Sequence, residues 1–437
     1  MKKISLLLVC LLMTLVCIAT AEEEPVVYTC EDYAYILLED GTAEITGYRG
    51  DAEKITIAEK LDGHAVTSIG DSAFEFCSFL TEIIIPDSVT SIGTNAFNEC
   101  SSLTEITLPD SLTSIGVNPF TYCGELKNIN VSPDHPTLAS IDGVLFDKTE
   151  KKLICYPCAF TQESYLIPQG ISSIGDKAFY SCESLAEIII PECVTSVAER
   201  SFVGCRNLVK IRVSPEHPTF ATIDGVLFDK TEKKLICYPC ALAAESYSIP
   251  QGISAVGNYA FFSCKSLTKI AIPDSVSFIG DYAFASCSSL TEITIPDSVT
   301  SIGEAAFSSC SSLAEITIPD SVTTIGDYAF MVCASLTEVT LPDSVTSVGN
   351  SAFSFCYALT EVTIPDSVTS IGHSAYSFCS ALTEITIPDS VSFIGEEAFD
   401  FCDSLTLTVQ RNSYAAQYAK ENNLDYTYPD ALDWLNS

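Results

Sequence analysis

Leu290-Thr291-Glu292-Ile293-Thr294-Ile295-Pro296-Asp297-Ser298-Val299-Thr300-Ser301-Ile302-Gly303 is a phrase that returns every 23 residues with little change. Ile293 and Ile295 alternate with Glu292 and Thr294, as the two faces of a strand do. Pro296 has no N–H to donate and ends that strand, and Asp297-Ser298 turns the chain through side-chain to backbone hydrogen bonds. Val299 and Ile302 return to the core, and Gly303 marks a corner. Ala306, Phe307 and Cys310 then sit at a spacing that suits a short helical or tightly turned segment packing inward. One such unit buries almost nothing by itself, so its stability must come from stacking on its neighbours.

The markers keep step along the chain. Cysteines recur at 77, 100, 123, 182, 205, 264, 287, 310, 333, 356, 379 and 402, which makes twelve copies. The corner glycine is present in eleven of them, Ala198 being the exception. The step fails twice, each time by 36 residues: Val131-Ser132-Pro133-Asp134-His135-Pro136 reappears 82 residues later as Val213-Ser214-Pro215-Glu216-His217-Pro218. A whole block has been duplicated. The inserts, 131–167 and 213–249, read as hairpins: Val144-Leu145-Phe146, a polar turn at 147–152, then Leu153-Ile154-Cys155-Tyr156. The fold class is a β-rich repeat solenoid of 23-residue units, each with a parallel strand and a short helical or turned segment. Residues 71–404 form the solenoid, 22–70 an N-terminal β cap and 405–437 a C-terminal helix-strand cap. Stacking at ~4.8 Å per strand predicts a body roughly 60 Å or more long.

The unit Leu-x-x-Ile-x-Ile-Pro-x-x-Val-x-x-Ile-Gly-x-x-Ala-Phe-x-x-Cys resembles that of the BspA-like leucine-rich repeat family of secreted and surface proteins. Asp40-Gly41-Thr42-Ala43-Glu44-Ile45, Ile141-Asp142-Gly143-Val144-Leu145-Phe146 and Ser413-Tyr414-Ala415-Ala416 look like that family too. The resemblance covers nearly the whole mature chain. It implies extracellular attachment to proteins or cells and carries no catalytic motif. Cys-Tyr-Pro-Cys in the inserts departs from the family pattern.

Lys2-Lys3, an apolar run from Ile4 to Ile18 and Ala19-Thr20-Ala21 read as a secretory signal peptide, residues 1–21. Val9 and Val16 precede Cys10 and Cys17 and argue against a lipoprotein site. The C-terminus, Asp433-Trp434-Leu435-Asn436-Ser437, shows no sorting signal, so a secreted, extracellular protein is expected, in noncovalent association with a cell surface if it is retained there. The chain has 21 basic against 57 acidic residues. Such a polyanion repels nucleic acid and anionic membranes, so neither nucleic-acid binding nor membrane insertion is expected. No nucleophile elbow, phosphate-binding loop or H-E-x-x-H occurs, and the protein is not expected to be an enzyme.

The charge is patterned. Glu292, Glu315, Glu338, Glu361 and Glu384 occupy the same outward strand position in five consecutive units, beside Thr294, Thr317, Thr340, Thr363 and Thr386. This array either keeps a secreted repeat protein soluble, meets a basic partner, or holds divalent cations, although no EF-hand loop is present. Lys210, Arg212 and Lys269 interrupt it at matching positions. The repeat cysteines are expected to be free buried thiols. Cys155/Cys158 and Cys237/Cys240 could close disulfides or supply half a zinc site, with His135 or His217 nearby in sequence; no cofactor or metal is expected. The function expected is binding or adhesion to protein or glycan on host or neighbouring cells, through the strand face and the inserts. The alternative is a structural, self-assembling surface component.

Overall fold

The computed structural model describes residues 25–429. The expected signal peptide lies outside the described residues. The chain winds into a series of coils, each with three sides, and neighbouring coils are hydrogen-bonded along these sides. The first side is a parallel ladder of strands such as Glu292–Thr294, in which only the central residue is buried. The second is a parallel ladder of two-residue strands such as Ser301–Ile302, bonded in register as Phe278↔Ser301 and Ile279↔Ile302.

The third side is the Ala-Phe segment, which is turned and not helical. Backbone N–H groups alternate between two targets there. Ala283 and Ala285 donate to Gly280 and Tyr282 within the coil, whereas Tyr282, Phe284 and Ser286 donate to Glu304, Ala306 and Ser308 of the next coil. The alternation needs left-handed backbone at Tyr282 (φ 55) and Ser286 (φ 62). That conformation is unfavourable for residues with a Cβ, and it persists because bonds on both sides fix it.

Two details depart from the sequence reading. Apart from Ser88, whose buried hydroxyl has no partner among the described residues, the serine after a Pro-Asp does not turn its own coil. Its hydroxyl donates to a carbonyl of the preceding coil, as from Ser275 to Ile253 at 2.7 Å and from Ser367 to Val345 at 2.7 Å. The repeat cysteine is free, as expected, but is more than an apolar filler: Cys310 Sγ donates to the Phe284 carbonyl at 3.2 Å and Cys333 Sγ to that of Phe307 at 3.2 Å.

Inside, the phenylalanines stack in columns with ring centroids 5.1–5.4 Å apart from Phe261 through Phe284, Phe307, Phe330 and Phe353 to Tyr376. The columns begin anew at each insert. Tyr48, Phe74, Phe97 and Phe120 form the first, Tyr156, Phe179 and Phe202 the second, and Tyr238 heads the third. The buried apolar residues divide into three clusters at the same places. Cys-Tyr-Pro-Cys therefore has a packing role: Tyr156 and Tyr238 fill the phenylalanine position, their N–H groups donating to Ala178 and Ala260 as Phe284 does to Ala306.

Each insert is a three-stranded meander, one strand more than the expected hairpin: Leu138–Ile141, Val144–Asp147 and Lys152–Cys155, then Phe220–Ile223, Val226–Asp229 and Lys234–Cys237. Asp142-Gly143, both at positive φ, make the additional turn, and an Asp-Gly pair between apolar runs is its sequence signal. The final strand of each meander takes a place in the second ladder.

The described ends close the stack. Antiparallel strands Tyr28–Cys30, Tyr33–Leu37 and Ala43–Tyr48 lead in. At the other end, helix Tyr414–Glu421, capped by Ser413, lays Ala415, Ala416 and Ala419 on the last coil, and Tyr418 Oη donates to the Gly395 carbonyl at 3.2 Å.

Candidate functional site: the glutamate face

The first ladder presents the charged positions. Glu292/Thr294, Glu338/Thr340, Glu361/Thr363 and Glu384/Thr386 are exposed on strands whose central residue is buried. Glu315 and Thr317 are exposed as well, but residues 313–319 form no strand. The ladder is thus broken in the middle of the acidic row.

The break follows the charge. Where an acidic residue meets a different side chain, pairing is complete: Lys54↔Glu82, Glu105↔Asn128, Glu187↔Lys210, Lys269↔Glu292 and Glu384↔Thr406 each begin a run of three or four register pairs. Where glutamate meets glutamate it thins. Glu82 against Glu105 keeps one pair, Ile84↔Thr107. The steps 292/315 and 315/338 have no strand pairing because residue 315 is in none, and the sheet ends again between Glu361–Thr363 and Glu384–Ile387. Glu338↔Glu361 is the exception, with three pairs.

Magnitudes account for the trend. Two carboxylates ~4.8 Å apart repel by about 1 kcal/mol in bulk water and by a few at an effective dielectric of 20. A cross-strand pair contributes roughly 0.2–1 kcal/mol. Short strands in a row of like charges therefore lose much of the advantage of pairing. At the break, Glu315, Thr317, Glu338, Thr340 and Asp320 border a concavity of about 330 Å³ over Ile316.

The basic interruption is neutralised within the same ladder. Glu187 lies 3.2 Å from Lys210 Nζ and 2.7 Å from Arg212 Nε, and Ser164 Oγ donates to it at 2.9 Å. Burial pushes its carboxyl up, but the Ser164 and Lys210 hydrogen bonds and the Arg212 charge outweigh this and hold it below the usual range. Lys269 pairs with Glu292 at 2.5 Å. The Lys269–Glu292 pair is exposed on both sides and worth at most about 1 kcal/mol, whereas Glu187 is largely buried between its two cations. These pairs leave Glu315, Glu338 and Glu361 as an acidic stretch that forms no ion pair with another described residue.

The insert histidines serve the fold. His135 is fully buried, and its Nδ1 accepts from the Thr137 and Leu138 amides at 3.2 and 3.0 Å. His217 repeats the arrangement with Thr219 and Phe220. Burial lowers the pKa of both, so both imidazoles are neutral with the proton on Nε2. The cysteines of Cys-Tyr-Pro-Cys are free, and Cys158 Sγ and Cys240 Sγ donate to the Tyr180 and Phe262 carbonyls. Among the described residues no group of three His, Cys, Asp or Glu could hold a metal ion, and no helix is long and apolar enough to cross a membrane. In the repeats, burial pushes the Cys333 thiol up to about 12, which keeps it protonated and unreactive.

A sequence profile of the BspA type leucine-rich repeat region matches residues 51–165, 154–239, 234–356 and 312–423. The chain belongs to this family. A solved leucine-rich repeat protein from Eubacterium ventriosum is 25% identical with a TM-score of 0.57, over 86% of this chain and 94% of that one. A leucine-rich cell surface protein from Faecalibacterium prausnitzii is 27% identical with a TM-score of 0.44, over 86% and 96%. A leucine-rich repeat protein from Bacteroides ovatus is 26% identical with a TM-score of 0.42, over 92% and 99%. None of the curated proteins compared with the chain matches it. Membership of the BspA-type family suggests a protein-binding or cell-surface role, and the fold is one that typically carries no enzymatic activity.

Proposed function

We propose that this BspA-type protein is a secreted or surface-associated, non-enzymatic adhesin whose glutamate face meets a basic protein partner. The inserts supply further contacts to protein or glycan on host or neighbouring cells. The observation that carries the reading is the loss of strand pairing along Glu292, Glu315 and Glu338. A fold that gives up backbone hydrogen bonds to keep like charges adjacent holds an electrostatic potential that a cationic surface relieves on docking. The threonines beside the row, from Thr294 to Thr386, supply hydroxyls that donate and accept at the same depth.

The test is attachment of the mature protein to host matrix and to neighbouring cells, measured with and without Glu315→Lys, Glu338→Lys and Glu361→Lys together. Attachment is expected to weaken at least tenfold, and that of the unaltered protein to fall as salt rises. A folded triple variant that attaches as well as the parent would remove the face from the proposal.

A further inference from the structure

Both inserts interrupt the second ladder alike, so the protein contains one cavity twice. In the first copy the ladder stops at Ser114–Ile115 and resumes at Lys152–Cys155. The gap is a cavity of about 470 Å³ bordered by Ser114, Thr137, Asp147, Glu150, Lys152 and Asp176. That volume is within the range of roughly 300–1,000 Å³ typical of ligand pockets. Eighty-two residues on, Ser196, Asp229, Glu232, Lys234 and Asn258 border its counterpart, which is about 250 Å³.

The second cavity is smaller because the chain reaches into it. Glu199 stands where the first copy has Val117, with Oε1 3.3 Å from Lys234 Nζ and Oε2 accepting from Asn258 Nδ2 at 2.7 Å. Its backbone is released to do so. In other coils an aspartate of the preceding coil accepts from the N–H that follows the corner glycine, as Asp281 does from Glu304 at 2.9 Å and Asp327 from Asn350 at 2.7 Å. At this step Ala198 replaces the glycine and Asp176 is held by Arg200 instead, with Nε at 3.1 Å.

The first cavity has no counterpart of Glu199, although its Lys152 pairs with Glu150 at the rim, and its chemistry differs at one decisive position. Lys152 keeps the donor of Lys234, but Asp176 replaces the amide donor of Asn258 with an acceptor. Lys152 already pairs with Glu150 and Asp176 with Arg200, but the ammonium keeps further N–H groups and the carboxylate further lone pairs, so an occupant that accepts from Lys152 and donates to Asp176 engages both. A carboxylate satisfies only the first requirement and an ammonium only the second; a hydroxyl satisfies both. Ser114 and Thr137 add hydroxyl partners, while Ile115, Val117 and Leu138 form an apolar wall suited to the C–H face of a ring. We propose that the first insert cavity binds a neutral saccharide, and that Glu199 is the chain's own stand-in for such a ligand in the duplicate. This rests on reading the inserts as contact elements and is independent of the glutamate face.

The experiment is saturation-transfer NMR on the full mature chain with lactose, maltose and diacetylchitobiose as probes, and lysine amide and glutarate as controls. At least one disaccharide should show transfer that Val117→Glu weakens tenfold or more, because a carboxylate at this lining position adds bulk and negative charge to the apolar wall of the cavity. Val117 is 38% exposed, so the change should not disturb the core. Asp176→Asn, which turns the acceptor into a donor, should weaken the same signal and serves if the first variant does not fold. The face variants of Glu315 to Glu361 should leave it unchanged, which separates failure of the cavity from failure of the face. Transfer to none of the three disaccharides, transfer only to lysine amide or glutarate, or saccharide binding indifferent to folded Val117→Glu would overturn the proposal.

Discussion

Phe307→Ala is expected to destabilise the protein by about 3–5 kcal/mol, the usual result of removing a fully buried phenyl ring. Phe307 has no exposed surface and stacks on both neighbours, 5.2 Å from Phe284 and 5.4 Å from Phe330 at interplanar angles of 11° and 1°. The cavity cannot collapse, because the backbone around it is tied from coil to coil by the Phe284→Ala306 and Phe307→Ala329 hydrogen bonds. In a stack each coil contacts only its neighbours, so the loss should appear as early unfolding of the block that begins at Tyr238. Denaturant unfolding followed by near-ultraviolet and backbone signals measures it. A loss below about 1 kcal/mol would mean that the column is loosely packed.

Gly303→Val should cost at least about 2 kcal/mol, toward the upper part of the range of roughly 1–3 kcal/mol found for overpacking. Left-handed backbone is not the cause. A Cβ at Gly303 would lie 2.6 Å from the Gly280 carbonyl carbon and 2.7 Å from the Asp281 nitrogen, both backbone atoms of the coil beneath. Neither can move, since Gly303 N–H donates to the Ile279 carbonyl at 3.1 Å. Gly124 is the control, because a Cβ there meets nothing within 4 Å. Thermal melts of Gly303→Val and Gly124→Ala should differ by many degrees, and equal melts would refute close coil-to-coil contact at the corner.

Much of this is legible in one phrase. The alternation of Ile293 and Ile295 predicts the first ladder, Pro296 its end, and Phe307 and Cys310 the interior, because each depends only on the period and on local chemistry. What the phrase does not contain is which coil a polar group addresses. Ser298 reads as a local turn residue and Cys310 as an apolar one, yet in this fold both positions donate to carbonyls of a preceding coil. Tyr156 reads as part of a Cys-Tyr-Pro-Cys curiosity, whereas it heads a new aromatic column. Its role emerges only once the meander has placed it over Phe179.

The candidate sites were legible in the same uneven way. The glutamate row is plain in the sequence, and the repulsion within it can be estimated there. That the repulsion unpairs the strand at Glu315 depends on how little a three-residue strand gains from pairing, which the structure alone displays. Lys210 and Arg212 look like a basic patch until register sets Lys210 against Glu187 and lets Arg212, opposite Ile189, reach the same carboxylate. The two insert cavities could not be read from sequence at all. The 82-residue duplication announces two equal inserts, and the exchange of Val117 for Glu199 gains meaning only from the position of Lys234 and Asn258.

Backbone hydrogen exchange in the first ladder bears most directly on the link between charge and structure. In the native protein, amides of residues 315–318 should exchange much faster than those of the charge-paired strand Lys269–Ala271, and Glu315→Lys, which alternates the charges, should slow them. Amides at 315–318 already as protected as those at 269–271, or unchanged by Glu315→Lys, would contradict a face held open by its own carboxylates.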